Sequence, residues 1–110
     1  MVNKKVLLVF GSVLIVDYLL AQVNKPKIYI VDNKKNYNAQ VVPPFGIYIN
    51  KSQSDNNLLL QHEMVHWKQY RRTGAILFYL RYLVENVIYG YDNMPMEIEA
   101  RKEVGESEWK

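Results

Sequence analysis

The strongest constraint on what this chain can fold into is the run His62-Glu63-Met64-Val65-His66. Two imidazoles four residues apart share one face, one turn apart, when the segment is helical, and both can then reach a single cation. Glu63 points toward the same site without having to bind the metal itself. The pattern fits a metal-dependent hydrolase in which the histidines hold zinc and the glutamate handles protons. By average composition such a run arises by accident in only about a few of every thousand chains this long, so coincidence is the weaker explanation. These are also the only two histidines in the 110 residues.

Two histidines do not complete a catalytic zinc site, which takes three protein ligands and an open position. The chain has no cysteine, so it can form no disulfide, and the third ligand must be a carboxylate. Met94-Pro95-Met96-Glu97-Ile98-Glu99-Ala100 is the best supply. An intervening helix of about 15 residues covers roughly 22 Å, enough to bring the chain back past the histidines. Glu97 and Glu99 stand about 200° apart on a helix, so only one of them can be the ligand. Glu97, in the first turn, is favoured. Glu99 is then expected to pair with a basic residue or to orient a histidine through its second nitrogen. Glu85 and Asp92 are weaker candidates, one in mid-helix and the other in a turn.

The remaining segments predict an α+β single domain over residues 1–110, about four helices with a short three-stranded sheet around a minimal zinc-binding core. Residues 1–22 form an apolar N-terminal helix, in which Val6 to Ala21 is interrupted by Gly11, Ser12 and Asp17. It reads as a buried or partner-facing core helix, a membrane anchor or a cleaved signal. Lys27 to Asp32 reads as a strand, Asn33 to Asn36 as a turn and Tyr37 to Val42 as the returning strand of a hairpin. Pro43-Pro44 stops that strand, and Gly46 to Asn50 makes a third. A free sheet edge there, with Ile47, Tyr48 and Ile49 as substrate-binding residues, suits an extended peptide added as a strand. Ser54 and Asp55 are good caps for the histidine helix, which runs to about Arg72. Ala75 to Tyr89 is a second apolar helix turned back by Thr73-Gly74, with Arg81, Glu85 and Asn86 as its solvent stripe. Pro95 opens the last helix, which stops before Gly105.

Net charge is +3, with no long basic run, which argues against nucleic-acid binding. The expected partner is a peptide or protein substrate. A cytoplasmic location is expected, with membrane contact through residues 6–21 as the alternative, and the oligomeric state stays open. A zinc-binding scaffold without turnover is the non-enzymatic alternative.

H-E-M-V-H followed by a helix reading M-E-I-E-A resembles the gluzincin metallopeptidases, whose third zinc ligand is a glutamate. In membrane-embedded relatives such as the CAAX prenyl endopeptidases that ligand stands in E-x-x-A-D. Glu97-Ile98-Glu99-Ala100 matches its first four places, and Arg101 replaces the aspartate. The chain is most similar to the minigluzincins, soluble archaeal proteins of about this size, over roughly Gly46 to Val104. The resemblance implies a zinc endopeptidase with ligands His62, His66 and Glu97 and general base Glu63. It also implies latent forms in which the C-terminal segment, here residues 105–110 with Glu106, Glu108 and Trp109, fills the cleft. Tyr89 and Tyr91, near the glutamate helix, are candidates for steadying the oxyanion.

Overall fold

A computed structural model describes residues 3–32 and 38–105. Four helices and one three-stranded sheet make an α+β domain. In chain order these are α1 (Lys4–Val23), β1 (Ile28–Val31), β2 (Ala39–Val42), β3 (Gly46–Asn50), α2 (Asn57–Thr73), α3 (Ala75–Tyr89) and α4 (Pro95–Glu103). One-turn 3₁₀ segments precede α2 at Lys51–Gln53 and α4 at Tyr91–Asn93. The cap of α2 is Asn56, whose side chain accepts the N–H of Leu59, so Ser54 and Asp55 fall in the preceding turn instead. Residues 33–37, which include the expected turn, and the tail at 106–110 lie outside the described residues.

The sheet order is β1-β3-β2, which corrects the expected hairpin between β1 and β2. β3 sits in the centre, parallel to β1 with Ile28 opposite Ile47, and antiparallel to β2 with Val41 opposite Ile47. The hairpin is therefore β2 to β3, closed by Pro43, Pro44 and Phe45 with Phe45 N–H on Val42 C=O. This placement also corrects Ile47, Tyr48 and Ile49 as a peptide-binding edge. A central strand has both rows of backbone groups already paired. Ile47 and Ile49 are instead buried, and Tyr48 stacks on Tyr29 across the other face at 4.9 Å. The free edge nearest the histidines belongs to β2. Asn50 N–H bonds Asn38 C=O at 2.8 Å, so by antiparallel alternation Gln40 and Val42 also face β3 with their backbone groups, and Ala39 and Val41 turn theirs outward.

Trp67, Tyr70, Ile47, Phe78, Met96 and Ala21 form the core, where α2 meets α4, α3, the sheet and the end of α1. The joint between α2 and α3 is a single glycine. Gly74 has φ 93°, and a Cβ there would lie 2.8 Å from Asp17 Oδ2. Only a bare backbone lets Asp17 come so close. Its two carboxylate oxygens accept the N–H groups of Ala75 and Ile76 at 2.9 and 2.8 Å, so a residue of α1 caps α3.

Burial departs from the sequence expectation in two helices. In α1 only Ala21 is buried, and Leu8 is 71% exposed, so this is not a core helix. It is long and apolar enough to cross a membrane. In α3 the expected solvent stripe is broken because Glu85 is buried. Its Oε1 accepts the N–H of Met96 at 2.9 Å and its Oε2 accepts Arg81 Nε at 2.6 Å. The N-terminus of α4 has no side-chain cap of its own, so a carboxylate from α3 supplies the missing acceptor.

Candidate metal centre

Helices α2 and α4 bring His62, His66 and Glu97 together, each almost wholly buried. His62 Nε2 lies 3.0 Å from Glu97 Oε1, and His66 Nε2 lies 3.0 Å from Glu97 Oε2. One donor atom from each residue falls within 4.8 Å of the others. A tetrahedral ion with ligand bonds near 2.0–2.1 Å has donors about 3.3 Å apart, so the three groups are gathered at the scale such an ion requires.

The hydrogen bonds around His66 fix its tautomer. Gln69 Nε2 donates to Met96 C=O at 3.0 Å and to Glu99 Oε1 at 2.7 Å, which leaves its Oε1 facing His66 Nδ1 at 2.7 Å. An acceptor there requires Nδ1 to carry a proton, and Nε2 then offers its lone pair to the centre. Nε2 lies near Glu97 but makes no aligned hydrogen bond, alone in this respect among the buried side-chain N and O atoms of the described residues. A buried lone pair with no donor suits a cation, and the donor set of two imidazoles and a carboxylate fits zinc.

Electrostatics agree with that fit. Burial opposes charge on all three groups, yet their mutual contacts win. Glu97 is pulled down to about 2 by the hydrogen bonds and charges of the two histidines. Burial lowers His62 and His66, but the adjacent Glu97 carboxylate outweighs it and both end above their ordinary value. Protons shared among these atoms occupy the ground that a cation would take.

Glu63 is buried and lines the adjoining cleft, together with His66, Glu97, Ala39, Gln40 and Val41 of β2, Phe78, Tyr79 and Tyr82 of α3, and Tyr91. Of the two tyrosines expected near the glutamate helix, Tyr91 lines the cleft and Tyr89 does not. Burial first, then the charge of Glu97, push the Tyr91 phenol far up, so it remains a hydrogen-bond donor. Glu99 takes the first of its two expected roles, pairing with a basic residue; the atom that meets a histidine's second nitrogen is Gln69 Oε1. Glu99 pairs with Arg72 at 2.9 Å, and it reaches a histidine only through Gln69. Burial opposes this charge, but Gln69 and Arg72 hold its carboxyl below the usual range. Arg101, where the related motif has aspartate, donates to Asp92 C=O and so ties the Tyr91 turn to α4. Asp92 and Glu103 are exposed and stand apart from the centre. The tail carboxylates Glu106 and Glu108 lie outside the described residues.

Sequence reasoning missed Gln69 and β2. Gln69 sits three residues after His66, on the same helix face, which was a usable signal. Tyr82 gives no signal inside a strongly apolar helix, and Glu85, read as a solvent residue, turns inward instead. Comparison with protein-family models, curated proteins and solved structures returns no match.

Proposed function

We propose that this protein is a zinc-dependent endopeptidase. The observation that carries the reading is the buried His62, His66 and Glu97 group opening on a cleft that Glu63 lines from one side and a free β-strand edge from another. Zinc held by these three ligands supplies Lewis-acid polarisation of the scissile carbonyl and acidifies water. Glu63 takes the proton of the attacking water and returns it to the leaving amine. The Tyr91 phenol, which lines the same cleft, donates to the developing oxyanion. Outward-facing backbone groups of Ala39 and Val41 hold the substrate as an added strand, which orients the peptide bond without reading its side chains closely. Membrane association through α1, rather than free diffusion in the cytoplasm, is favoured by how little of that helix is buried.

Two measurements on untagged protein test the reading. Elemental analysis should find about one zinc per chain, since a His tag would add imidazoles the chain lacks. Glu63→Ala should keep the metal and lose hydrolysis of a quenched peptide. A variant as active as the parent would overturn the role of Glu63.

A further inference from the structure

Helix α3 has an outer face that a water-facing helix does not have. Its inner side carries Phe78, Tyr82 and Glu85 toward the core and cleft. At 100° per residue, Ile76, Leu77, Leu80, Leu83, Val84, Val87 and Ile88 fall together on the opposite arc. All seven are exposed, Val87 by 77% and Leu83 by 60%. No charge interrupts this arc; Arg81 stands at its border and is paired with Glu85.

This surface adjoins α1 through the Asp17 cap. From Lys4 to Val23, α1 is 20 residues, about 30 Å long, and apolar around its circumference except toward the domain, where Asp17 and Gln22 face α3 and α2. A single stripe would suit a protein groove, whereas a surface apolar on every other side suits lipid. Asp17 lies six residues before Val23, so α3 starts about 9 Å below the end of the span, the depth at which an interfacial helix rests. Exposed Lys68, Arg71 and Arg72 gather beside Tyr18 and Gln22 in the last turns of α1, at the level where anionic headgroups would stand; Arg71 hydrogen-bonds Gln22 C=O, and exposed Lys25 and Lys27 follow the helix end in sequence.

We propose that α1 spans a bilayer and the aliphatic face of α3 lies in its surface, so that the cleft on the other side of α3 takes polypeptide held at the same membrane. The occupant of the α3 face is lipid. The substrate class, a segment that leaves or lies along the bilayer, rests on the peptidase reading above; the lipid seat does not. One helix diameter, about 10 Å, separates the lipid from the cleft, so the residues cut lie just outside the headgroups.

The absence of cysteine allows single labels on the full chain. Leu83→Cys and Val87→Cys carry a bimane in mixed phosphatidylcholine and phosphatidylglycerol vesicles, with Leu8→Cys marking α1 and Gln61→Cys as an aqueous reference. Brominated acyl chains should quench positions 8, 83 and 87 and spare 61. Quenching at 8 without 83 and 87 overturns the seat of α3, and cross-linking of two copies through position 83 does so in favour of a dimer face. In the second arm, the zinc-loaded chain in vesicles meets one peptide either attached beside a membrane span or free. The attached form should be cut on the order of tenfold faster or more, and Leu83→Glu/Val87→Glu should remove the advantage while sparing the free peptide. Equal rates on both forms overturn the substrate class. Cleavage of neither overturns the peptidase reading and the substrate class with it, while quenching at 83 and 87 still decides the lipid seat.

Discussion

Helices α2 and α3 are neighbours in sequence, similar in length and joined by one glycine, yet they break the rule of polar outside and apolar inside in opposite directions. α2 buries His62, Glu63, His66 and Gln69; α3 exposes seven aliphatic side chains. Burying polar groups costs stability unless each has a partner, and in α2 the partners are Glu97, Gln69 and, through Gln69, Glu99. That network turns a cost into a geometry that could hold a metal ion. Exposing aliphatic surface also costs, and among the described residues nothing covers the α3 arc; on the proposal above, lipid does. Polarity in the wrong place points in the first case to chemistry and in the second to location.

Substitutions can break each half of this contrast. Removing the carboxylate that needs no ligand role should have the largest effect: Glu63→Gln should lower peptide hydrolysis by roughly 10²–10⁴ while leaving the metal content unchanged, as read by elemental analysis beside the assay. Tyr91→Phe, which deletes one donor, should cost on the order of 10² in kcat with KM little changed. Gln69→Ala should weaken zinc binding about 10–100-fold in a chelator competition, because His66 loses the acceptor that fixes its tautomer. Unchanged affinity would show that the relay from Glu99 is packing alone.

The pH response separates the polar half from the rest of the fold. In metal-stripped protein Glu97 is depressed, so its stabilisation is present above the ordinary carboxylate value of 4.5 and is lost as pH falls through about 2. His62 and His66 are raised, so theirs is present below 6.5 and is lost as pH rises through their elevated values. The stripped protein should therefore have its highest Tm between those two ordinary values, and the gain in Tm on adding zinc should grow from pH 6 to pH 8. On the apolar half the smallest effect is expected. Leu83→Gln should change stability in detergent-free buffer by no more than about 0.5 kcal/mol, since that side chain is largely exposed. A large loss would mean that the aliphatic arc supports the fold rather than facing a partner.

Much of this architecture is legible in the residues themselves. Gly74, Gly90 and Pro95 mark helix boundaries because backbone geometry is local, and the His62 and His66 spacing puts both imidazoles on one face because a helix repeats. Phase alone says that only one of Glu97 and Glu99 can face the histidines; a place in the first turn is what favours Glu97. Sheet order was not legible, because β1 and β2 look like hairpin partners until β3 takes the place between them, and pairing is decided by tertiary packing rather than by strand content. The two inversions escaped for a related reason. Glu85 reads as a solvent residue in mid-helix, and only the uncapped start of α4 explains why it turns inward. Apolar residues of α1 and α3 read as core, since a sequence shows hydrophobicity without showing what meets it.

The Asp17 cap gives the cleft a fixed address. Because a side chain of α1 closes the first turn of α3 with two hydrogen bonds, no flexible tether intervenes between the two helices. If the proposed peptidase reading and membrane seat hold, a cleft mounted this rigidly would work as a ruler, cutting different polypeptides at a constant number of residues from the lipid, whatever their side chains.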